Sequence, residues 1–274
     1  MIFGAVIILL LPLLFMSALQ WPAAKRVLRR CSRAAIIPVL RCRSRSINVQ
    51  KEINSVLILS PHQDDEILGC GGLIATLREQ KKPVSVVFLT DGRSSHAGHP
   101  TLRPDKLAIL RSEEARRALA VLGVPPENIH FLGAPDGELP RLTPEQKAKL
   151  VSAITALVHS LKPQIVLLPS QLDGSSEHVA GYEYALEALR HCDHPPRVWE
   201  FPVWAWWSPR LLAMAAFKDR RVFRFSFNRL AGRKALALAD YRSQIEPTPP
   251  WTDPVLPPDF VAAFSGPDEF FFER

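Results

Sequence analysis

Four short apolar runs constrain this chain more than anything else in it: SVLILS (55–60), VSVVFLT (84–90), IHFL (129–132) and IVLLP (165–169). None alternates apolar with polar residues. A strand with one wet face would alternate, so these read as parallel strands buried on both faces. Between them lie stretches at helical spacing: ILGCGGLIATLREQ, PDKLAILRSEEARRALAVLG and TPEQKAKLVSAITALVHSL. The second ends at Gly123, a helix stop. The third opens with Thr143 as N-cap, Pro144 in the first turn and Gln146 at the capping-box position. Strand and helix in alternation predict an α/β fold, a Rossmann-like, doubly wound, mostly parallel sheet. Beyond Arg197 the pattern loosens. RVWEFPVWAWW and RVFRFSF predict further strands, RLAGRKALALADYRSQI a helix, and the proline- and aromatic-rich tail from Pro247 an irregular wrap.

The sheet pattern is preceded by a different kind of sequence. Residues 1–24 carry no charged side chain and as a helix would run roughly 36 Å, enough to span a bilayer. Residues 25–51 then carry nine Lys/Arg and no Asp or Glu. A cleaved signal peptide has its positive charge before the apolar run rather than after it, so a retained single-pass anchor is the expectation and the cleaved signal its alternative. Positive charge after the span places the rest of the chain in the cytoplasm, with the basic segment against anionic headgroups. The expected organisation is a transmembrane anchor (1–24), a basic juxtamembrane segment (25–51) and one catalytic domain (52–274).

This partition also explains the net charge of +7. With the basic segment set aside, 25 basic residues face 27 acidic ones. The domain therefore has no nucleic-acid footprint. Cys31, Cys42, Cys70 and Cys192 show neither metal-type nor disulfide-type spacing.

In a sheet of this kind ligands bind at the carboxyl ends of the strands. The first strand ends in Pro61-His62-Gln63-Asp64-Asp65-Glu66, the second in Asp91-Gly92-Arg93, the third in Gly133-Ala134-Pro135-Asp136 and the fourth in SQLDGSSEH, ending at His178. Adjacent carboxylates at the end of a core strand repel one another, and a divalent cation offsets that charge. His62 and Asp65, three apart at a helix entry, converge on one point. His178 as third ligand completes a two-imidazole, one-carboxylate set with a position left for water, which suits zinc and also ferrous iron. Asp64, beside a ligand but free, is placed for a general base. Glu66 reads as a first-turn helix acid. Asp91 and Asp136 are either loop-capping residues or part of the site. His96 and His99 read as members of a solvated loop. His191-Cys192-Asp193-His194 has metal-like spacing, but thirteen helical residues after His178 put it about 20 Å away, toward the other edge.

The Pro61–Glu66 segment resembles the Pro-His-Pro-Asp-Asp-Glu signature of the LmbE-like/PIG-L family, metal-dependent deacetylases of glucosamine-containing substrates. LTDGRSSH, LRSEEARRALAVLGV, FLGAPDGELP and the helix-entering His178 continue the resemblance over about residues 54–190. It implies His62, Asp65 and His178 as metal ligands, Asp64 as general base, and Arg111 and Asp136 as substrate-binding residues. Two departures stand out. Gln63 replaces a proline. The family's His-Pro-Asp-His reads here Ser175-Ser176-Glu177-His178, so the histidine that polarises the carbonyl in relatives is replaced by Ser175, and Glu177 is left to orient a ligand or balance charge. Losing such a donor lowers the rate by ~10²–10³. The expected activity is zinc-dependent removal of an N-acetyl group from a lipid- or nucleotide-linked N-acetylglucosamine. The alternatives are hydrolysis of another amide, and a catalytically weakened membrane-bound carbohydrate-binding protein.

Overall fold

The four apolar runs are strands in a computed structural model of the chain, which describes residues 22–274. They are β2 (Val56–Ser60), β3 (Val84–Thr90), β4 (Ile129–Ala134) and β5 (Ile165–Pro169), following a short β1 (Ser44–Ser46). Three more strands complete the sheet, β6 (Arg197–Phe201), β7 (Val222–Ser226) and β8 (Asp268–Glu273), in the order β1-β7-β8-β6-β5-β2-β3-β4. Every pairing is parallel except those of β8, which runs against both β6 and β7.

Period-2 geometry splits the strand residues between two cores, one on each face. Val56, Ile58, Val86 and Phe88 join one core; Leu57, Leu59, Val87 and Leu89 join the other. The chain winds outward from β2 through β3 to β4, then returns to place β5 on the other side of β2. That reversal opens a crevice at the carboxyl ends of β2 and β5.

The helices longer than two turns are α1 (Pro22–Arg43), α2 (Asp65–Glu79), α3 (Pro104–Val121), α4 (Pro144–Leu161), α5 (Ser176–Arg190), α6 (Pro209–Phe217) and α7 (Ala231–Ala239). The capping box on α4 is present, with Thr143 Oγ1 accepting from Gln146 N and Gln146 Oε1 accepting from Thr143 N. Helix α2 matters most, because it starts at the metal-ligand motif. Its glycines let bulky neighbours approach: a Cβ on Gly69 would sit 2.3 Å from Phe201, and one on Gly72 2.3 Å from Phe227. A buried ion pair completes its backbone bonding. Lys234 Nζ donates to Leu68 O (2.8 Å) and to Glu269 (2.9 Å), and Glu269 accepts from Gly72 N and Leu73 N. Strand β8 and helix α7 thus hold the helix that carries Asp65. Gly72→Ala is expected to lower unfolding stability by about 1–3 kcal/mol through overpacking. Denaturant titration reads the change, and an unshifted midpoint would show that Phe227 yields freely.

Two expectations are corrected here. Among the described residues no helix is long and apolar enough to cross a membrane, which overturns the single-pass membrane placement with a cytoplasmic domain. The expected span falls largely on residues 1–21, outside the described residues. The basic segment after it is docked on the domain rather than lying free for headgroups. Leu40 is fully buried and Ile36 and Ile37 pack on the core. Arg33 is buried and donates to Trp206 O, Arg29 lies over the Trp207 ring, and Arg41 pairs with Asp268 at 2.7 Å. The second correction concerns the tail, which does not stay irregular: Asp268–Glu273 enters the sheet between β6 and β7.

Candidate active site

The carboxyl edge of β2 and β5 assembles the predicted cluster. Asp65 opens α2, His62 lies one turn earlier, and His178 sits in the first turn of α5. His62 Nδ1 and His178 Nε2 each lie 3.3 Å from Asp65 Oδ2, and the two rings are 5.5 Å apart. His178 is wholly buried, and apart from the 3.3 Å approach to Asp65 its Nε2 has no hydrogen-bond partner among the described residues. Its other nitrogen faces Asp173 Oδ2 at 2.9 Å, and Asp173 is itself fixed by the N–H groups of Val203 and Ala205. A neutral imidazole that donates through Nδ1 presents an Nε2 lone pair, which is what a metal requires. Three donors around one point, one of them buried and orphaned, fit a divalent cation. The described residues offer one other grouping of this kind, His62, Asp136 and Glu177, which meets the opposite nitrogen of the same ring.

That second grouping orients His62. Its Nε2 lies 2.7 Å from Glu177 Oε2 and 3.2 Å from Asp136 Oδ1. Glu177 Oε1 accepts from Gly137 N and Leu139 N, and Asp136 Oδ2 accepts from Ser94 N. Glu177 therefore ties the loop after β4 to the ligand histidine. Burial opposes the charge on Asp65, but the facing imidazoles of His178 and His62 outweigh it and hold its carboxyl well below the usual range. Burial likewise opposes charge on the imidazoles, but carboxylates win: His178 is pushed up to about 9 by Asp65 and Asp173, and His62 is raised well above the ordinary value by Asp136, Asp65 and Glu177. The pocket has an excess of acid that favours positive charge.

Asp64 is held in an uncommon backbone conformation, φ 133° and ψ −32°. Such a residue persists only where its surroundings enforce it, at about 1–3 kcal/mol. Glu66 Oε2 accepts from Asp64 N at 3.0 Å, and Tyr241 donates its hydroxyl to Glu66 Oε1. Glu66 and Tyr241 are both fully buried. Glu66 is a first-turn acid, as expected, but a buried one, and burial pushes it up to about 8. Arg111 Nη2 donates to Gln63 O at 2.5 Å and lies 3.5 Å from Asp64 Oδ2, while Nη1 donates to Gly92 O. Burial raises the Asp64 carboxyl to about 7, with Arg111 opposing and Asp65 adding to the rise. A cation on the neighbouring ligands favours its charged form. Gln63, in place of the proline, is buried and its amide donates to Thr90 O at 2.8 Å, tying the loop to β3.

His62, Asp64, Asp65, Arg111, Asp136 and Glu177 line one cavity of about 280 Å³, closed on its apolar side by Val203, Trp204, Leu256 and Phe260. Ser175 and Asp91 are not among its lining residues. Ser175 caps α5, its Oγ accepting from His178 N, and Asp91 is engaged by Arg93 at 2.5 Å. His96 and His99 are buried, not solvated: both pack on Trp251 and reach Thr248. Cys192 and His194 line a separate cavity with Lys162 and Pro163, at the amino end of β5. Sequence reasoning passed over Asp173, Glu66 and Tyr241 as parts of the site. A Gly at 174 marked a turn after Asp173, but nothing local pointed to its partner His178, and Tyr241 lies 175 residues from Glu66.

A mostly parallel α/β sheet brings two histidines and one aspartate together at its switch point, beside a strained carboxylate, a donor set of the kind that could hold a divalent cation. The model of the PIG-L family, GlcNAc-PI de-N-acetylase, matches residues 57–189, and this stretch is a PIG-L (LmbE-like) family domain. The chain is 32% identical over 147 residues to diacetylchitobiose deacetylase of Thermococcus kodakarensis, covering 53% of this chain and 52% of that one. It is 28% identical over 169 residues to a 1D-myo-inositol 2-acetamido-2-deoxy-alpha-D-glucopyranoside deacetylase of Nocardia farcinica, covering 55% and 56%. The chain thus spans about half the length of these curated relatives. Among solved structures, the 4-carboxy-2-hydroxymuconate hydratase GalB of Pseudomonas putida KT2440 superposes with a TM-score of 0.57 at 20% identity, over 70% of this chain and 80% of that one. That likeness shows the fold alone. A fold does not dictate a reaction, so function is argued from the site.

Proposed function

We propose that this chain is a divalent-metal-dependent hydrolase that removes the N-acetyl group from an N-acetylglucosamine-type substrate. The observation that carries this reading is the free carboxylate of Asp64 beside the convergent His62, Asp65 and His178. The names of the curated relatives, both deacetylases of acetamido sugars, support it. Zinc is the metal we assign, with ferrous iron the alternative for the same donors.

When bound, the metal polarises the acetamide carbonyl and makes water a better nucleophile. Asp64 accepts the proton of the attacking water as its oxygen bonds to the acyl carbon. It returns that proton to the nitrogen as the C–N bond breaks, releasing acetate and a free amine. Glu66, Tyr241 and Arg111 hold Asp64 in place for both transfers. Asp173 and Glu177 keep the two imidazoles oriented. Arg111 Nε, buried without a partner among the described residues, is left to a polar group of the substrate, and Asp136 stands beside His62 at the cavity wall.

A second reading is favoured by Ser175, whose hydroxyl is taken up by the helix cap and adds no donor to the cavity. On that reading the pocket binds acetylated sugars and turns them over weakly or not at all. The test is amine release by zinc-loaded protein from N-acetylglucosamine, N,N′-diacetylchitobiose and a panel of simple acetamides. Release from the sugars is expected. Release from the simple amides alone points to a different amide substrate, and saturable sugar binding without amine establishes the second reading.

A further inference from the structure

The opposite edge of the sheet carries a feature with no part in this chemistry. Arg43, Arg45, Arg197, Arg220 and Arg221 line a cavity of about 330 Å³. Arg45 lies in β1, Arg197 opens β6, and Arg220 and Arg221 precede β7, so the cavity sits at the amino ends of parallel strands, away from the carboxyl-edge site.

Charge there is unbalanced. Glu52 pairs with Arg45, Glu273 is shared by Arg197 (2.6 Å) and Arg221 (2.8 Å), and Glu200 takes Arg220 Nη1 (2.9 Å). Among the described residues Arg43 donates only to the carbonyls of Ala216 and Lys218. Among the described residues, five guanidinium groups therefore meet three carboxylates.

The groups are also pre-set. Arg220 lies over the Phe272 ring at 4.2 Å, Arg197 over Trp199 at 5.1 Å and Arg45 over Phe223 at 5.5 Å. Stacking fixes the planes of the forks. The Arg220 side chain is 9% exposed, yet its Nε and Nη2 have no partner among the described residues. Two adjacent buried N–H donors of one guanidinium match two oxygens of a tetrahedral oxyanion.

We propose that this cavity binds a phosphate-type oxyanion, either inorganic phosphate or a phosphate monoester, with Arg220 as its buried anchor and Arg43, Arg45 and Arg221 supplying the offsetting charge. The occupant is set by charge and fork geometry, and acetamide hydrolysis does not enter.

The test is calorimetric titration of the full chain with inorganic phosphate and with glycerol 3-phosphate, against chloride at equal ionic strength. Saturable binding of one equivalent is expected. A tighter monoester identifies an ester as the ligand; equal affinities identify the free anion. The paired Arg45→Gln and Arg221→Gln substitutions, at exposed side chains, are expected to weaken binding about tenfold with an unchanged circular dichroism spectrum. Arg220→Lys, which keeps the charge and loses the fork, is expected to weaken it at least as much. No phosphate binding above the chloride control overturns the proposal, as does binding that survives the paired exposed substitutions unchanged.

Discussion

Asp64→Asn is expected to lower turnover of an acetamido-sugar substrate by about 10²–10⁴-fold, the range for removing a positioned general base, while metal content and substrate affinity stay close to wild type. The amide keeps the shape of the carboxylate, so the Arg111 contact and the uncommon backbone conformation can persist; it cannot accept the proton of water. Steady-state amine release, paired with elemental analysis of the same preparations, separates the two effects. Full turnover by the variant would remove Asp64 from the role of base. Loss of metal along with turnover would instead place Asp64 among the ligands. The structure argues against that second outcome, because Asp65 and the two imidazoles converge on one point while Asp64 turns toward Arg111.

The strands and helices around this site were legible because their physics is local. A buried parallel strand must be apolar on both faces, and β2, β3 and β5 were predicted within a residue at either end. His62, Asp65 and His178 were legible because parallel topology sends strand ends to one edge. What the sequence left obscure depends on contacts between distant segments. Helix α1 presents a basic surface and an apolar one, and such a helix suits a lipid interface or a protein face equally well. Only the positions of Trp206, Trp207 and Asp268 settle which it meets. The DEFFFE run of β8 alternates poorly and follows a proline-rich tail, so its place between β6 and β7 rested on pairings no local pattern announces. His96 and His99 looked solvated because the loop around them is polar. Trp251, some 150 residues later, covers them.

The same dependence on distant partners distinguishes ligands from the residues that orient them. His178→Ala removes a donor outright, and zinc affinity is expected to fall by more than the ~10–100-fold typical of losing only an orienting partner. Asp173→Asn is expected to fall within that ~10–100-fold range. The amide can still accept from His178 Nδ1, but it loses the charge that makes the ring a stronger ligand. Its own N–H groups also meet the Val203 and Ala205 amides that now donate to the carboxylate. Competition with a chromophoric chelator measures both affinities without reference to turnover. The ordering matters more than either value: wild type tightest, Asp173→Asn intermediate, His178→Ala weakest, with Asp64→Asn beside wild type. Zinc held as tightly by His178→Ala as by wild type would mean that His62, Asp136 and Glu177 form the binding set. Asp65 would then have to be explained as a partner of two charged imidazoles, which its depressed pKa and its place at the start of α2 also permit. His178 Nε2 lies 3.3 Å from Asp65 Oδ2 while Nδ1 faces Asp173, so Nε2 is the atom a cation shared with Asp65 would take, and the chelator ordering decides between the two sets.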